Sequence, residues 1–584
     1  MRKTYLLVTL LVSPLILPAQ KHDFNLLFGY AGGNYSPDDD SFGINIMNFE
    51  DGHAKLTDNQ IIEMGFNDTN VSMSDANGNL IFYYNGVYIE NTDFEKMEGG
   101  DTLNVWEPIG SDIPQGAVCI PFPEIPQQYI LIHETEAYIV SPPWSFQGIG
   151  LYYSIIDMNE NGGLGRVVER KKLLISDTLT FGQLTAVRHA NGRDWWVLAG
   201  ESHTDRFYTL LIDNGGIHLH GIQNTGLQRK EGFGHAYFSQ DGSKYVSSHG
   251  IDFGPNWEYL YVYDFDRCSG SLSNGQEIHI TGSAGSGIAI SSNSRFLYAP
   301  TEEFLYQFDL QSADVAGSRI EIGIYNGHLD PFPTKFDKCF LAPDGKIYVV
   351  TSSGSRTLHV VNEPDNLGLA CNFQQPGTRL PCNNANSFPN FPNYRLGPID
   401  GSICDTLGLD NSPMAWWRSE QDTINSLLVN FYDLSYYEPT SWEWNFGDIG
   451  SGINNVSTER HPQHIFSAPG NYIVCLTVNN MNGSNTLCRT VKLDNTFVEN
   501  PNMDQQVLVS PNPFTNRIII TLSANLRDPI FRLFDHTGRL VNEVHLAIGI
   551  TEIETNDLSN GIYFWEIRSI GQYVNTGKLI KIKD

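Results

Sequence analysis

Phe238–Val246 reads FSQDGSKYV. Hydrophobic residues flank a central Asp-Gly, so the stretch predicts the end of one β-strand, a tight turn and the start of an antiparallel partner. Variants of the unit recur. Asn191-Gly192 in RHANGRDWWVL, Asp241-Gly242, Asn293-Ser294 in ISSNSRFLY and Asp344-Gly345 in LAPDGKIYV lie 50, 52 and 51 residues apart. Asn77-Gly78 in SDANGNLIFYY precedes Asn191 by 114 residues, two intervals with an insertion. A proline-rich turn at Pro123 to Pro126, ahead of the strand-like Tyr129 to His133, fills the gap. A strand pair returning about every fifty residues cannot bury both faces alone and is the mark of a stacked repeat, here a WD40-like β-propeller over residues 20–400. A further interval after Asp344 falls near Asn393 in NFPNYRLG. The N-terminal strand-like segment Leu26 to Phe49 would pair there and close the ring, giving seven blades.

Composition bounds the rest. A chain of 584 residues exceeds what one core organises. Its formal net charge of -30 disfavours nucleic acid and anionic membrane surfaces as partners. Aromatic residues reach 12% against only 17% charged, and there are 54 glycines, a balance that suits turn-rich β structure. Met1 to Ala19 carries two cations, an apolar run broken by Pro14, and a Leu-Pro-Ala end; this predicts a signal peptide cleaved after Ala19 and an exported mature chain with no membrane span.

Residues 401–420 read as a linker, with Trp416 and Trp417 packing where two domains meet. From residue 421 to 495 the pattern changes to PTSWEWNFGD followed by HPQHIF and APGNYIVCLTV. Trp444 and Phe446 alternate onto one face of a strand, and Gly447-Asp448 opens a turn. After a second linker, 496–506, residues 507–584 contain VSPNPF, FDHTGRLV, DLSNGIYFWEI and GKLIKI.

Three resemblances follow from these stretches. SDANGNLIFYYNGV, GLYYSIIDMNENGGLGRV, LTAVRHANGRDWWVL and FPNFPNYRLGPIDGSICDTLG resemble the N-terminal propeller of large exported Bacteroidetes proteins that carry PKD domains. The WxFGD stretch Trp444, Phe446, Gly447 and Asp448, with His464 and Gly470-Asn471-Tyr472, is similar to a PKD domain, which implies an immunoglobulin-like β-sandwich acting as a spacer. The tail resembles a type A C-terminal sorting domain of the type IX secretion system, a small β-sandwich. Pro511, Asn512, Pro513, Gly538, Gly561, Gly577 and Lys578 stand at its signature positions. That resemblance implies passage through the type IX machinery, then release or surface attachment.

Of the eight cysteines, Cys475 and Cys488 flank one hairpin turn and predict a cross-strand disulfide; Cys371 with Cys382 is the second expected pair. No motif for a nucleotide, a catalytic serine or a zinc protease is present. Asp157, Asn159 and Asn161 match the front of a calcium loop, but the twelfth position is Val168, so a plain turn is the better reading. Calcium is the single cofactor to be considered. His218 and His220 share a strand face without a third ligand nearby. If the Asp-Gly turns occupy one rim of the propeller, the loops joining second to third strands gather on the other. Those loops carry Trp144, Phe146, His203, Asp205, His249 and Trp257, aromatic faces beside polar groups, as glycan or protein recognition requires. The expectation is a non-catalytic binding or adhesion protein at the cell surface or secreted. The alternative is a polysaccharide hydrolase or lyase using Glu201, Asp205, Asp252 or Glu302 over the channel.

Overall fold

The computed structural model describes residues 20–30, 41–104, 110–139, 145–230, 232–251, 257–281, 287–384, 387–422, 425–493, 507–522, 529–535, 539–547, 549–569 and 572–582. The signal sequence, the linker 496–506, Trp144, Asp252 and Gly538 lie outside them. The chain divides into two compact units, residues 1–497 and 498–584.

FSQDGSKYV folds as its residues dictate. Phe238 pairs with Tyr245 and Tyr237 with Val246 across the turn. Gly242 takes φ 72°, a left-handed conformation that costs glycine nothing. Asp241 accepts hydrogen bonds from Ser239 Oγ at 2.5 Å and from the Ser243 amide at 2.9 Å, so the aspartate holds the loop it sits in. Phe238 then packs edge-on against Tyr245 and Phe265, with ring centroids 5.2 and 4.8 Å away.

Residues 25–384 form seven antiparallel sheets in chain order, the first two of three strands and the other five of four. Their first strands are Asn25–Tyr30, Val71–Ser74, Ala117–Pro121, Thr185–Arg188, Ala236–Phe238, Ala289–Ile290 and Phe336–Leu341. The predicted turns join first to second strand in the second through seventh sheets. The N-terminal sheet packs on the last: Phe24, Leu26, Phe28 and Met47 share one apolar cluster with Phe340, Tyr348, Leu358 and Leu380. Asn45 seals the same seam by donating to the Cys382 carbonyl at 3.1 Å and accepting from its amide at 2.9 Å.

One part of the expected closure is different. The stretch around Asn393 adds no strand to any sheet. Pro389 and Pro392 remove two backbone donors from FPNFPN, which suits it poorly to a ladder. Instead the chain leaves the seventh sheet and runs inward along the first strands. Asn390 donates to the carbonyls of Ala117 at 2.8 Å and Leu184 at 2.7 Å, and accepts from Gln115. Ser387 bridges Asn70 and the Asn67 carbonyl. Phe388 stacks on Phe340 and meets His235 edge-on. Further along, the Tyr394 hydroxyl reaches the Cys119 carbonyl at 2.7 Å, and Asn393 donates to the Gln240 carbonyl at the Asp-Gly turn. Contacts to five of the seven sheets from one extended segment define a plug along the axis of the ring.

Beyond the plug the chain enters the second sandwich, a three-stranded and a four-stranded sheet between Trp417 and Leu493. Its first strand, Trp417–Gln421, lies within the stretch read as linker and pairs with Leu428–Asp433. Trp417 belongs to the sandwich core with Phe431 and Trp444, whereas Trp416 faces Phe24 of the first sheet at 5.1 Å. The tail, described by itself, is a sandwich of a three-stranded and a four-stranded sheet around Phe514, Ile518, Phe531 and Ile567.

Candidate functional site

The rim of Asp-Gly turns is covered. Leu434 of the second sandwich lies against Gly345, where an added Cβ would stand 2.7 Å from its methyl carbon. Lys346, the next residue, pairs with Glu420 at 2.7 Å. Arg418 donates to the Asn362 carbonyl at 3.2 Å, and His53 accepts the Ser419 amide at 3.4 Å. Arg489 stacks over Trp416 at 3.8 Å and reaches the Glu50 carbonyl. Lys21 and Asp23 join the same junction: Asp23 forms a buried two-point pair with Arg395 of the plug, and Lys21 lies over Phe24 and Trp416. A disulfide between Cys268 and Cys404 ties the fifth sheet to the segment leading into the sandwich. The sandwich expected as a spacer is therefore packed on the propeller within one compact unit.

Of the residues selected for the loops between second and third strands, Phe146, His249 and Trp257 belong to the strands themselves. His203 is exposed at φ 59°. Asp205 accepts the Gly226 amide at 2.9 Å, which fixes its own loop to the next. His249 is fully buried against the edge of Tyr261, and burial lowers its pKa to about 3, so it is a neutral core residue at ordinary pH. Phe146 stands opposite Tyr138 and Trp257 opposite Ile251 in their ladders. The carboxylates are held locally. Glu201 pairs with Arg206 at 3.0 Å and accepts from Thr204, while Glu302 pairs with Lys335 at 3.0 Å. A third acid, Glu134, lies fully buried on the Gly182 amide, and desolvation holds its pKa well above the usual range.

The metal candidates Asp157, Asn159, His218 and His220 each have protein partners. Asp157 accepts from Asn159 and from Gln128 at 2.8 Å, and Glu160 pairs with Arg166 at 2.5 Å. His218 binds Asp213 at 3.1 Å, while His220 meets the edge of Trp196. Among the described residues no group of three or more potential ligands gathers.

Cys475 and Cys488 face each other in the ladder and are bonded, as expected. The Cys371–Cys382 pairing is not formed. Both cysteines are buried, Cys371 in the sixth- and seventh-sheet core and Cys382 at the first-sheet seam beside Gln60. Cys371 lies just before the twelve-residue outer strand of the seventh sheet and Cys382 near its far end, so the extended strand holds them apart.

In the second sandwich the signature Asp448 is a buried knot. It accepts from Ser467 N at 2.8 Å, from Ser467 Oγ at 2.5 Å, and pairs with His464 at 3.2 Å. His464 stacks on Phe446 with centroids 4.2 Å apart, which explains why those residue types recur together. In the tail, Asn512 between its two prolines donates to the Lys578 carbonyl and accepts the Ile580 amide, both at 2.9 Å. The first and last signature stretches are thereby stitched side by side. The strand from Lys578 to Lys583 reads as alternating outward lysines with apolar residues, but Lys581 is buried and donates to the Thr515 and Thr555 carbonyls.

These features define a nearly all-β protein: a propeller-like ring with its sandwich docked on it, and a separate folded tail. Comparison with known proteins is specific for the two smaller domains. Residues 418–494 match the family model of the PKD domain, and residues 508–583 that of the secretion system C-terminal sorting domain. The chain thus carries a type IX secretion sorting tail and is secreted or attached to the cell surface. No curated protein matches it. Among solved structures it is similar to the PKD1 domain of Vibrio anguillarum Epp, at 30% identity over 14% of this chain and 94% of that one, with a TM-score of 0.12. The Dos1 propeller shares 12% identity over 62% of this chain and 83% of its own, with a TM-score of 0.33. PorZ, a surface component of the type IX secretion system of Porphyromonas gingivalis, shares 11% over 96% and 92%, with a TM-score of 0.16. No helix among the described residues is long and apolar enough to cross a membrane.

Proposed function

We propose that the protein is a non-catalytic binding protein of the cell exterior. Its propeller presents a glycan or protein ligand to the rim opposite the PKD domain. The observation that carries the reading is the path of residues 387–397. They occupy the axis where a propeller would otherwise offer an open channel, and they deliver the PKD domain onto the other rim. A filled axis leaves a broad outer face, which suits a macromolecular ligand better than a small substrate held in a cleft. Glu201 and Glu302 each have a cation partner, and Asp205 caps a loop, which weighs against paired free acids for glycoside cleavage.

The test is a glycan and cell-surface binding screen of the mature chain alongside Trp144→Ala, Trp257→Ala and His203→Ala. Loss of binding in at least one variant is expected. Binding unchanged in all three removes this face as the site, and hydrolysis of any screened polysaccharide overturns the non-catalytic reading.

A further inference from the structure

The turn between Asp157 and Arg166 in the third sheet holds a reactive pair that the rest of the fold leaves unfastened. Asparagine followed by glycine is a chemically weak step in any chain. The glycine amide nitrogen can attack the side-chain carbonyl, and no Cβ shields that approach. Residues 1–497 contain eight such steps, at Asn77, Asn85, Asn161, Asn191, Asn214, Asn274, Asn326 and Asn482. The fold restrains the other seven. Asn85 accepts the Val87 and Tyr88 amides, and Asn191 accepts those of Arg193 and Asp194. Asn326 is bonded through both polar atoms of its side chain, at 3.0 and 2.9 Å. Asn214, Asn274 and Asn482 donate to Glu124, Asp264 and Asp400. At Asn77 the nucleophile is held instead, because the Gly78 amide donates to the Asp75 carbonyl at 3.0 Å.

Asn161 differs at both ends of the reaction. Its side chain is exposed and makes no hydrogen bond among the described residues. The Gly162 amide has no acceptor among them either. The turn is closed by its neighbours, Gly163 donating to Glu160 at 3.1 Å and Leu164 to Asn161 at 3.2 Å. Asn161, Gly162 and Gly163 take φ 50°, 68° and 98°, and a Cβ at either glycine would meet nothing within 4 Å. Attacking and attacked groups are thus both unengaged, and the two glycines let the chain bring the nitrogen onto the carbonyl.

We propose that Asn161 is a site of spontaneous covalent modification, at which the asparagine of the folded protein is converted to aspartate and isoaspartate. The Gly162 nitrogen bonds to Asn161 Cγ while the Cγ–Nδ2 bond breaks. Nδ2 leaves as ammonia, taking up the proton that the Gly162 amide loses. Water then opens the cyclic imide: cleavage of the nitrogen bond to Cγ gives aspartate, and cleavage of its bond to the main-chain carbonyl carbon gives isoaspartate. No electrons are exchanged, and water is the one co-reactant. The product adds a negative charge to the turn that already carries Asp157 and Glu160. The sheet accommodates it, because position 161 lies outside the ladder, which begins with Asp157 opposite Arg166.

The experiment incubates the purified full chain at mildly alkaline pH in heavy-oxygen water and reads each Asn-Gly step by mass spectrometry after digestion. The heavy oxygen marks carboxylates formed during the incubation, and labelling by an isoaspartyl methyltransferase reports the branched product. Conversion at Asn161 is expected to be at least about tenfold faster than at Asn191 or Asn326, which must first break hydrogen bonds. In the urea-unfolded, reduced chain the steps should converge to similar rates, which assigns the difference to the fold. Asn161→Gln should remove the signal from its own peptide and leave the others unchanged. Conversion at Asn161 no faster than at Asn191 and Asn326 in the folded chain overturns the proposal. So does the same spread of rates in the unfolded chain.

Discussion

Replacing Asn390 by alanine tests whether the axial segment holds the propeller together. The native amide donates to two carbonyls on different sheets, Ala117 at 2.8 Å and Leu184 at 2.7 Å, and its oxygen accepts from Gln115 at 3.3 Å. Gln115 in turn accepts the Ala236 amide at 2.7 Å, so a third sheet depends on the same group. Alanine leaves three buried polar groups without this partner. Each unsatisfied group costs about 1–3 kcal/mol, and a water entering the vacated space would return part of that. The expected loss is about 3–6 kcal/mol, a large share of the roughly 5–15 kcal/mol that holds a typical domain. Asn393→Ala is the comparison, because its half-buried side chain donates to the Gln240 carbonyl at 2.9 Å and accepts the Arg395 amide at 3.0 Å, bonds worth about 1 kcal/mol each. Urea unfolding followed by tryptophan fluorescence reads the difference, since Trp195 lies edge-on to Tyr394 of the plug with centroids 6.0 Å apart. Equal midpoints for the two variants would show that the plug is a passenger.

Three further outcomes are expected. Burial lowers the pKa of His22 and His359 to about 4 and of His133 and His249 to about 3. The folded state therefore prefers neutral rings, and stability is lost as pH falls below about 6.5, by about 3 kcal/mol per ring once pH reaches 4; a melting temperature unchanged from pH 7 to pH 4 would refute this. Glu90 behaves oppositely, because desolvation raises it to about 7. Its cost grows as pH rises from about 4.5 through 7, so Glu90→Gln should stabilise the chain by up to about 3 kcal/mol at pH 8 and hardly at all at pH 4.5. An equal effect at both pH values would exclude the buried charge as the cause. Cys404→Ser opens a link spanning 136 residues and should cost up to about 4–5 kcal/mol, seen as a lower non-reducing melting temperature and faster proteolysis between residues 399 and 411; matched curves would assign the linker's order to other contacts.

The fold was legible where local chemistry decides it. Asp241 and Gly242 need only their own loop to make a turn, and the fifty-residue spacing follows because each sheet repeats that loop. Trp444, Phe446 and Asp448 likewise announce their sandwich, since the partners of Asp448 lie within twenty residues. Other features depended on distant partners. Ser387–Gly397 looks like a final strand by position, and its role emerges only when Asn390 is seen to satisfy carbonyls 206 and 273 residues away. Cys268 and Cys404 are separated by most of two sheets and the plug, so spacing gave no reason to join them. His249 illustrates the limit for the site. It was read as a loop residue, but it sits inside the strand Lys244–Ile251, buried against Tyr261 and the Lys230 carbonyl.

The covered rim changes what the PKD domain is for. A spacer gains by standing clear of its neighbour, and it would show a polar linker and few contacts. Here the linker is stapled by a disulfide, Trp416 is buried against the first sheet, and Arg418, Glu420 and Arg489 all have propeller partners. The junction also contains Gln20 and Asp23, both held by arginines that belong to the fourth sheet or the plug. Those contacts tie the first described residues to the fourth sheet and to the plug. The ring and sandwich therefore complete each other, since the plug that fills the axis is the same segment that delivers the sandwich to the rim. Moving the PKD domain away would expose Trp416, leave Arg418 without the Asn362 carbonyl and break the Lys346–Glu420 pair. Such a domain serves as the floor of the propeller.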